Sequence, residues 1–325
     1  PDGLRTASVR ASTPIKLLEL DHADFNKLLE LRPALALELV RVLGVRLRES
    51  DNLMIHDLRE INRQLTQTCE ELKTAQAQIV EKEKLEHELS LARDIQESIL
   101  PKDLVCLDDF EFGARMVPAR SVGGDLYDFI PLNEDIVAIA IGDVSGKGIP
   151  AAIYMALFCS LLRAEIQHIP SPTDVLLRVN QHLLDLDESG MFVTVLFGLL
   201  DRKKRKFSYA RAGHEVPILF DQNGKAAILD WDQGQLLGFF SDPKLDVGSI
   251  IIPEGCTLLL YTDGAFDTRN SDGTGFGLER LIETTTDYLP NSAQNLCDLV
   301  VDKLNVYQGL SSQFDDITLV AIQSS

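Results

Sequence analysis

A chain of 325 residues that is 45% hydrophobic can bury a sizeable core, and at this length one main domain of about 200 residues with additional material is expected. Its 31 Lys and Arg against 50 Asp and Glu leave a formal charge of −19, which repels phosphate backbones and anionic headgroups, so neither nucleic acid nor a membrane surface is expected as a partner. Five scattered cysteines (Cys69, Cys106, Cys159, Cys256, Cys297) form no CxxC, which argues against a disulfide framework or a thiolate metal site and fits a reducing cytoplasm. No uninterrupted apolar stretch approaches the roughly 20 residues of a membrane helix. No secretory signal opens the chain, and Pro1, Asp2 and Gly3 read as the interior of a longer protein.

In chain order, "LRTASVRASTPIKLLEL" alternates as a strand does, and "DHADFNKLLELRPALALELVRVLGVRLRES" reads as helices, the first capped by Asp21. Residues 50–100 carry almost no Gly or Pro and place Leu58, Leu65, Leu72 and Ile79 seven residues apart, with Ile61, Thr68 and Ala75 at the companion positions. That spacing predicts a coiled coil and hence a homodimer. The register slips near Lys82, resumes with Leu85, Ala92 and Ile99, and ends before Pro101. Beyond it, strand-like runs ("FEFGARMVPA", "DIVAIAIGD", "FVTVLFGLLD", "KFSYARAGH", "AAILDW", "GCTLLLYTD", "ITLVAIQ") are interrupted by two helical pairs, at 151–186 and 277–307. Helices arriving as hairpins rather than singly between strands favour an α+β sandwich of mainly antiparallel sheets over a doubly wound parallel sheet.

Acidic residues recur in one context, a strand end or start beside glycine: Asp125 in "GGD", Asp143 in "IGDVSGKG", Asp263 in "YTDG", and Asp315 with Asp316 in "FDDIT". Any one of them reads as a turn aspartate capping its own backbone, but four such sites in one domain point to convergence. Carboxylates brought together repel, and cations or protons must offset the repulsion. Only His214 of "AGH" offers nitrogen nearby, so an all-oxygen site for Mg²⁺ or Mn²⁺ is favoured over zinc. Two such ions can activate water for in-line attack on phosphorus. "GDVSGKG" lacks the spacing and the Ser or Thr of a Walker loop. "GGDLYDF" shares Gly-Gly-Asp with the Gly-Gly-Asp-Glu-Phe signature of diguanylate cyclases but leaves "YTDG" and "FDDIT" unexplained.

Taken in order, "LARDIQESILP", "VGGDLYDFI", "IGDVSGKGIPAA", "RAGHEVPIL", "YTDGAFDTRN", "FGLERL" and "FDDITLVAI" resemble the metal-dependent protein phosphatases of type 2C, in the bacterial branch typified by SpoIIE and RsbU. The resemblance covers residues 90–323 and implies an αββα sandwich flanked by helical hairpins that hydrolyses phosphoserine or phosphothreonine with two Mn²⁺ or Mg²⁺ ions. It implies that Asp143 bridges both ions, joined by the Val144 carbonyl, that Asp125 holds the second ion, and that Asp263 and Asp315 hold the first. Asp316 is the alternate ligand, since it stands where the wider family has asparagine. Ser145 replaces a histidine proposed as general acid in eukaryotic members, while His214 and Asp267 read as structural and Lys147 as a residue that could attract the substrate phosphate. Members of this branch commonly act on a phosphoserine in a small anti-sigma-factor antagonist. The first 48 residues resemble the second half of a cyclic-nucleotide-binding domain, with Arg5 at the phosphate-pairing position and Thr6 beside it. The expected layout is 1–48 for that remnant, 49–100 for the coiled-coil linker and 101–325 for a phosphatase domain regulated through both. The rival expectations are a silent scaffold that binds phosphoproteins and a cyclase-like signalling enzyme.

Overall fold

The computed structural model describes residues 10–101, 104, 107–168, 171–186, 190–228, 234–289 and 291–325. The chain separates into two units, residues 1–82 and 83–325. In the first, Asp21 accepts the Asp24 N–H at 2.6 Å and starts α1 (His22–Leu31) as expected. Pro33 then opens α2 (Pro33–Ile99), where a missing N–H costs nothing. This 67-residue helix starts well before the expected boundary at 49 and continues without a break into the second unit. Leu58, Leu65, Leu72 and Ile79 are 55–67% exposed along it. Residues 10–20 form no strand, against the expectation from their alternation. A strand needs a neighbour's N–H and C=O groups, and among the described residues none precedes residue 110. Arg5 and Thr6 lie outside the described residues.

Among the described residues the second unit contains ten strands in two antiparallel sheets. One sheet orders β1 (Phe110–Val117), β10 (Ile317–Ser324), β9 (Thr257–Tyr261), β6 (Ile218–Phe220) and β7 (Ala226–Ile228). The other orders β2 (Leu126–Pro131), β3 (Ile136–Val144), β4 (Val193–Asp201), β5 (Lys206–Ala212) and β8 (Asp246–Ile251). The hairpins α3 (Ile149–Ile166) with α4 (Pro172–Leu186) and α6 (Leu278–Tyr288) with α7 (Ala293–Gln308) cover the outer faces. The αββα sandwich expected from the sequence is the fold observed.

Strand β3 shows how the pattern selects this architecture. Val137, Ile139 and Ile141 face the opposite sheet, while Ala138 and Ala140 face α3 and α4. Both faces are buried, so the run reads as continuously apolar. The small alanines leave room for Met155, Phe158 and Leu162, all fully buried. By length and composition α3 is apolar enough to cross a membrane (18 residues, mean hydropathy 1.5), but these side chains are spent on the sheet. Strands β2, β6 and β8 and the four-residue α5 (Gly264–Asp267) are absent from the expected series of runs, being too short or too polar to show a period.

Truncating Leu162 to alanine removes a fully buried side chain from the α3–sheet layer, and urea unfolding is expected to show a loss of about 3 kcal/mol.

Candidate active site

The four acidic motifs meet at one end of the sandwich. Asp125 precedes β2, Asp143 lies near the end of β3, Asp263 follows β9, and Asp315 and Asp316 precede β10. Pairing of β2 with β3 sets Leu126 opposite Gly142, and pairing of β10 with β9 sets Leu319 opposite Tyr261, so within each sheet two acidic segments leave adjacent strands.

Glycine makes the convergence possible. A Cβ on Gly124 would stand 2.6 Å from the Val144 carbonyl oxygen and 3.3 Å from Asp143 Oδ1. One on Gly123 would overlap the Asp316 carboxylate, and one on Gly264 the Asp316 carbonyl. Only hydrogen fits at these contacts.

The carboxylates differ in what holds them. Asp125 is buried, and its Oδ2 accepts the hydroxyls of Thr262 at 2.8 Å and Thr318 at 2.5 Å. Burial, then Asp143 and Asp316, push its pKa well above the usual carboxylate range. Asp143 rises to about 7, through burial first and then Asp263, Asp315 and Asp316. Asp263 is raised by burial, Asp315 and Asp267. It begins α5 without capping it, leaning only on the adjacent Gly264 N–H, so it is not the self-capping turn residue that a single motif suggests. Asp143 therefore interacts with every other member of the cluster, sharing a hydrogen bond with Asp125 and repelled by Asp263, Asp315 and Asp316.

Asp315 and Asp316 separate clearly. Both Asp316 oxygens are committed to backbone, accepting Ala119 N–H at 2.6 Å and Gly124 N–H at 2.7 Å. Asp315 instead pairs with Lys147 at 2.9 Å. Among the described residues, no three or more His, Cys, Asp or Glu side chains are grouped closely enough to enclose an ion. The hydroxyl, amide and ammonium partners just named account for much of the carboxylates' hydrogen-bonding capacity. By donor chemistry the set still suits a hard divalent cation, being all oxygen, largely buried and mutually repelling.

A cavity of about 350 Å³ opens beside Asp143 and Asp263, lined also by Ser145, Phe192, His214 and Glu215. Ser145 braces its floor, exchanging hydrogen bonds with the Phe192 backbone at 2.9 Å. His214 is buried, with Nδ1 3.1 Å from the Thr194 hydroxyl. Burial and Arg211 push its pKa down to about 3, so the ring stays neutral at ordinary pH.

Sequence reasoning missed the residues that fasten this site to α2. Gln96, only 5% exposed, donates to the Gly123 carbonyl at 2.7 Å and accepts the Gly123 N–H at 3.2 Å. Arg93 donates to the Ser121 carbonyl at 2.7 Å. Arg163 of α3 grips the Ile99 carbonyl at the end of α2 at 2.7 Å while chelating the buried Asp128 of β2 at 2.6 and 3.1 Å. A polar Gln at the heel of a helix leading into "GGD" is a faint signal, visible only once its target loop is known.

A family model described as Stage II sporulation protein E (SpoIIE) matches residues 133–325. The chain belongs to the SpoIIE family. Asp143, Asp263, Asp315 and Asp316 fall within the match, and Asp125 lies just before it. The chain is 33% identical over 280 residues to protein IcfG of Synechocystis (78% of this chain, 44% of that one). It is 28% identical over 247 residues to the phosphoserine phosphatase RsbU of Bacillus subtilis (74% and 71%). It thus spans under half the length of IcfG. In fold it is similar to the SiaA PP2C domain of Pseudomonas aeruginosa, with a TM-score of 0.68 and 24% identity over 75% of this chain and 98% of that one. The SpoIIE family match spans "GDVSG" together with "YTDG" and "FDDIT", the two motifs that the cyclase expectation left unexplained.

With its pKa raised to about 7, Asp143 in the folded protein keeps a proton that the unfolded carboxylate, near a pKa of about 4, gives up. Its contribution to stability is therefore lost as pH rises through about 7. In EDTA at pH 8, Asp143→Asn is expected to raise the unfolding free energy by about 2–4 kcal/mol, and at pH 3, below the pKa of the unfolded carboxylate, the gain should vanish in the same urea titrations.

Proposed function

We propose that this chain is a metal-dependent serine/threonine protein phosphatase. The observation that carries the reading is the arrival of Asp125, Asp143, Asp263 and Asp315 from four strand ends at one end of the sandwich, with Asp143 raised by burial and by the neighbouring carboxylates, as suits a group that shares cations. Asp143 and the Val144 carbonyl would serve both ions, Asp125 the second, and Asp263 with Asp315 the first. Asp315 is preferred to Asp316 because the Asp316 oxygens tie the distant 119–124 loop through Ala119 and Gly124, whereas Asp315 holds the adjacent Asp316 N–H and the partly exposed Lys147 ammonium. When bound, Mn²⁺ or Mg²⁺ supplies the Lewis acidity for attack of water on phosphorus and neutralises the phosphoryl oxygens.

The chain's own residues do the rest. Thr262 and Thr318 fix the Asp125 carboxylate through one oxygen before a ligand arrives. Gly123 and Gly124 allow the loops to close around a phosphate-sized group. Neutral His214 contributes no proton at ordinary pH, and with Ser145 tied to Phe192, protonation of the leaving oxygen falls to solvent in the cavity. The substrate is a phosphoserine or phosphothreonine on a protein partner, in keeping with the similarity to the phosphoserine phosphatase RsbU, and the resemblance to this branch points to an anti-sigma-factor antagonist.

The exposed heptad stripe of α2 would pair with a second copy, making a cytoplasmic homodimer. Residues 1–48, with Arg5, would belong to a cyclic-nucleotide-binding-like sensor, 49–100 to the linker and 101–325 to the catalytic domain. Gln96, Arg93 and Arg163 would carry the linker's state to the loops bearing Asp125 and Asp143.

Phosphate release from p-nitrophenyl phosphate should require Mn²⁺ or Mg²⁺ and fall at least about 10³-fold in Asp143→Ala. An intact Asp143 protein that binds Mn²⁺ but releases nothing would mark a silent scaffold. Gln96→Ala should raise the Mn²⁺ concentration needed for half-maximal rate severalfold; an unchanged metal requirement removes α2 from the regulation.

A further inference from the structure

At the rim of the carboxylate cluster an exposed aromatic ring carries two cations. Phe314, 53% exposed, immediately precedes Asp315. The Lys147 ammonium sits 4.6 Å from its ring centre and the Arg269 guanidinium 4.9 Å. Lys147 is already committed, donating to the Phe314 carbonyl at 2.5 Å and pairing with Asp315. Arg269 is different. It is exposed, held by the ring face, and among the described residues no carboxylate lies within ion-pair distance of it. A stacked guanidinium loses little further freedom on binding and presents its N–H fork to an oxyanion. In a chain of net charge −19 this is a local reversal of sign beside the very residues that bind the reacting group.

We infer that Phe314 and Arg269 form a recognition shelf for an acidic side chain flanking the phosphorylated residue of the substrate. The inference rests on the phosphatase reading. The oxyanion on the shelf could be either the transferred phosphate or a neighbouring carboxylate, and depth decides between them. The reacting phosphate must reach Asp125, which is 1% exposed, and Asp143, whereas both shelf residues are open to solvent at the rim. An extended substrate segment whose phosphoserine enters the site passes its neighbours over such a rim.

The test compares phosphoserine peptides carrying Asp and Glu flanks, Ala flanks or Lys flanks, alongside p-nitrophenyl phosphate, at saturating Mn²⁺. The full chain should prefer the acidic-flanked over the Ala-flanked peptide by about fivefold in kcat/KM, chiefly through KM. Arg269→Gln and Phe314→Ala should erase that preference and leave p-nitrophenyl phosphate hydrolysis within twofold of wild type. Both side chains are exposed, and unchanged urea midpoints would confirm that the variants fold. An equal loss on p-nitrophenyl phosphate assigns the shelf to the reacting phosphate and overturns the inference, as does a flank preference that survives in both variants or is absent from wild type. If wild type hydrolyses nothing, the phosphatase reading fails on its own. Fluorescence anisotropy with the labelled acidic-flanked peptide still decides the shelf, by a weakening in Arg269→Gln or by its absence.

Discussion

The energetic problem at the heart of this molecule is the gathering of like charges. Asp125, Asp143, Asp263 and Asp315 come from four separate strand termini in two sheets, and burial together with mutual repulsion raises the pKa of three of them. No isolated loop could sustain that crowding. It persists because the core on either side is dense: a continuous inter-sheet layer from Phe112 to Ile322 fixes the strand directions, and the outer helices fix the sheets. The hydrophobic burial of a whole domain opposes a local electrostatic cost of a few kcal/mol. The same cost makes the site a receptor for positive charge.

The support around the cluster divides the acidic residues by task. Hydroxyls aim Asp125, backbone amides absorb both oxygens of Asp316, and an ammonium balances Asp315. Adjacent residues of identical chemistry, 315 and 316, thereby acquire different roles: one ties the loop at 119–124 to β10, and the other accepts the adjacent Asp316 N–H and pairs with the Lys147 ammonium. Arg163 performs a related service one layer out. It satisfies a carboxylate buried at 2% side-chain exposure and caps the last turn of α2, so the heel of the long helix and the start of β2 share one anchor.

The sequence made the architecture legible because its signals are periodic. The unbroken apolar run of β3 and the paired helices at 151–186 and 277–307 determine a layered sandwich almost alone. The site was legible for another reason, since Gly beside Asp at strand ends has few other uses. What escaped has a physical explanation too. The start of α2 at Pro33 was hidden because a 3.5-residue stripe is recognisable only after several heptads, while the preceding turns carry the same helix without it. The alternation in residues 10–20 meant nothing without a partner strand. The difference between Asp315 and Asp316, and the grip of Gln96 on Gly123, depend on contacts between residues 27 to 197 positions apart, which spacing along one chain cannot reveal.

Anomalous diffraction from crystals of the full chain grown with Mn²⁺ tests the central claim most directly. The expected map holds two peaks about 4 Å apart, with Asp143 between them, Asp125 on one side, Asp263 and Asp315 on the other, and Asp316 still bound to the Ala119 and Gly124 amides. Absence of any peak at the cluster at millimolar Mn²⁺, or a single ion held without Asp143, would contradict it.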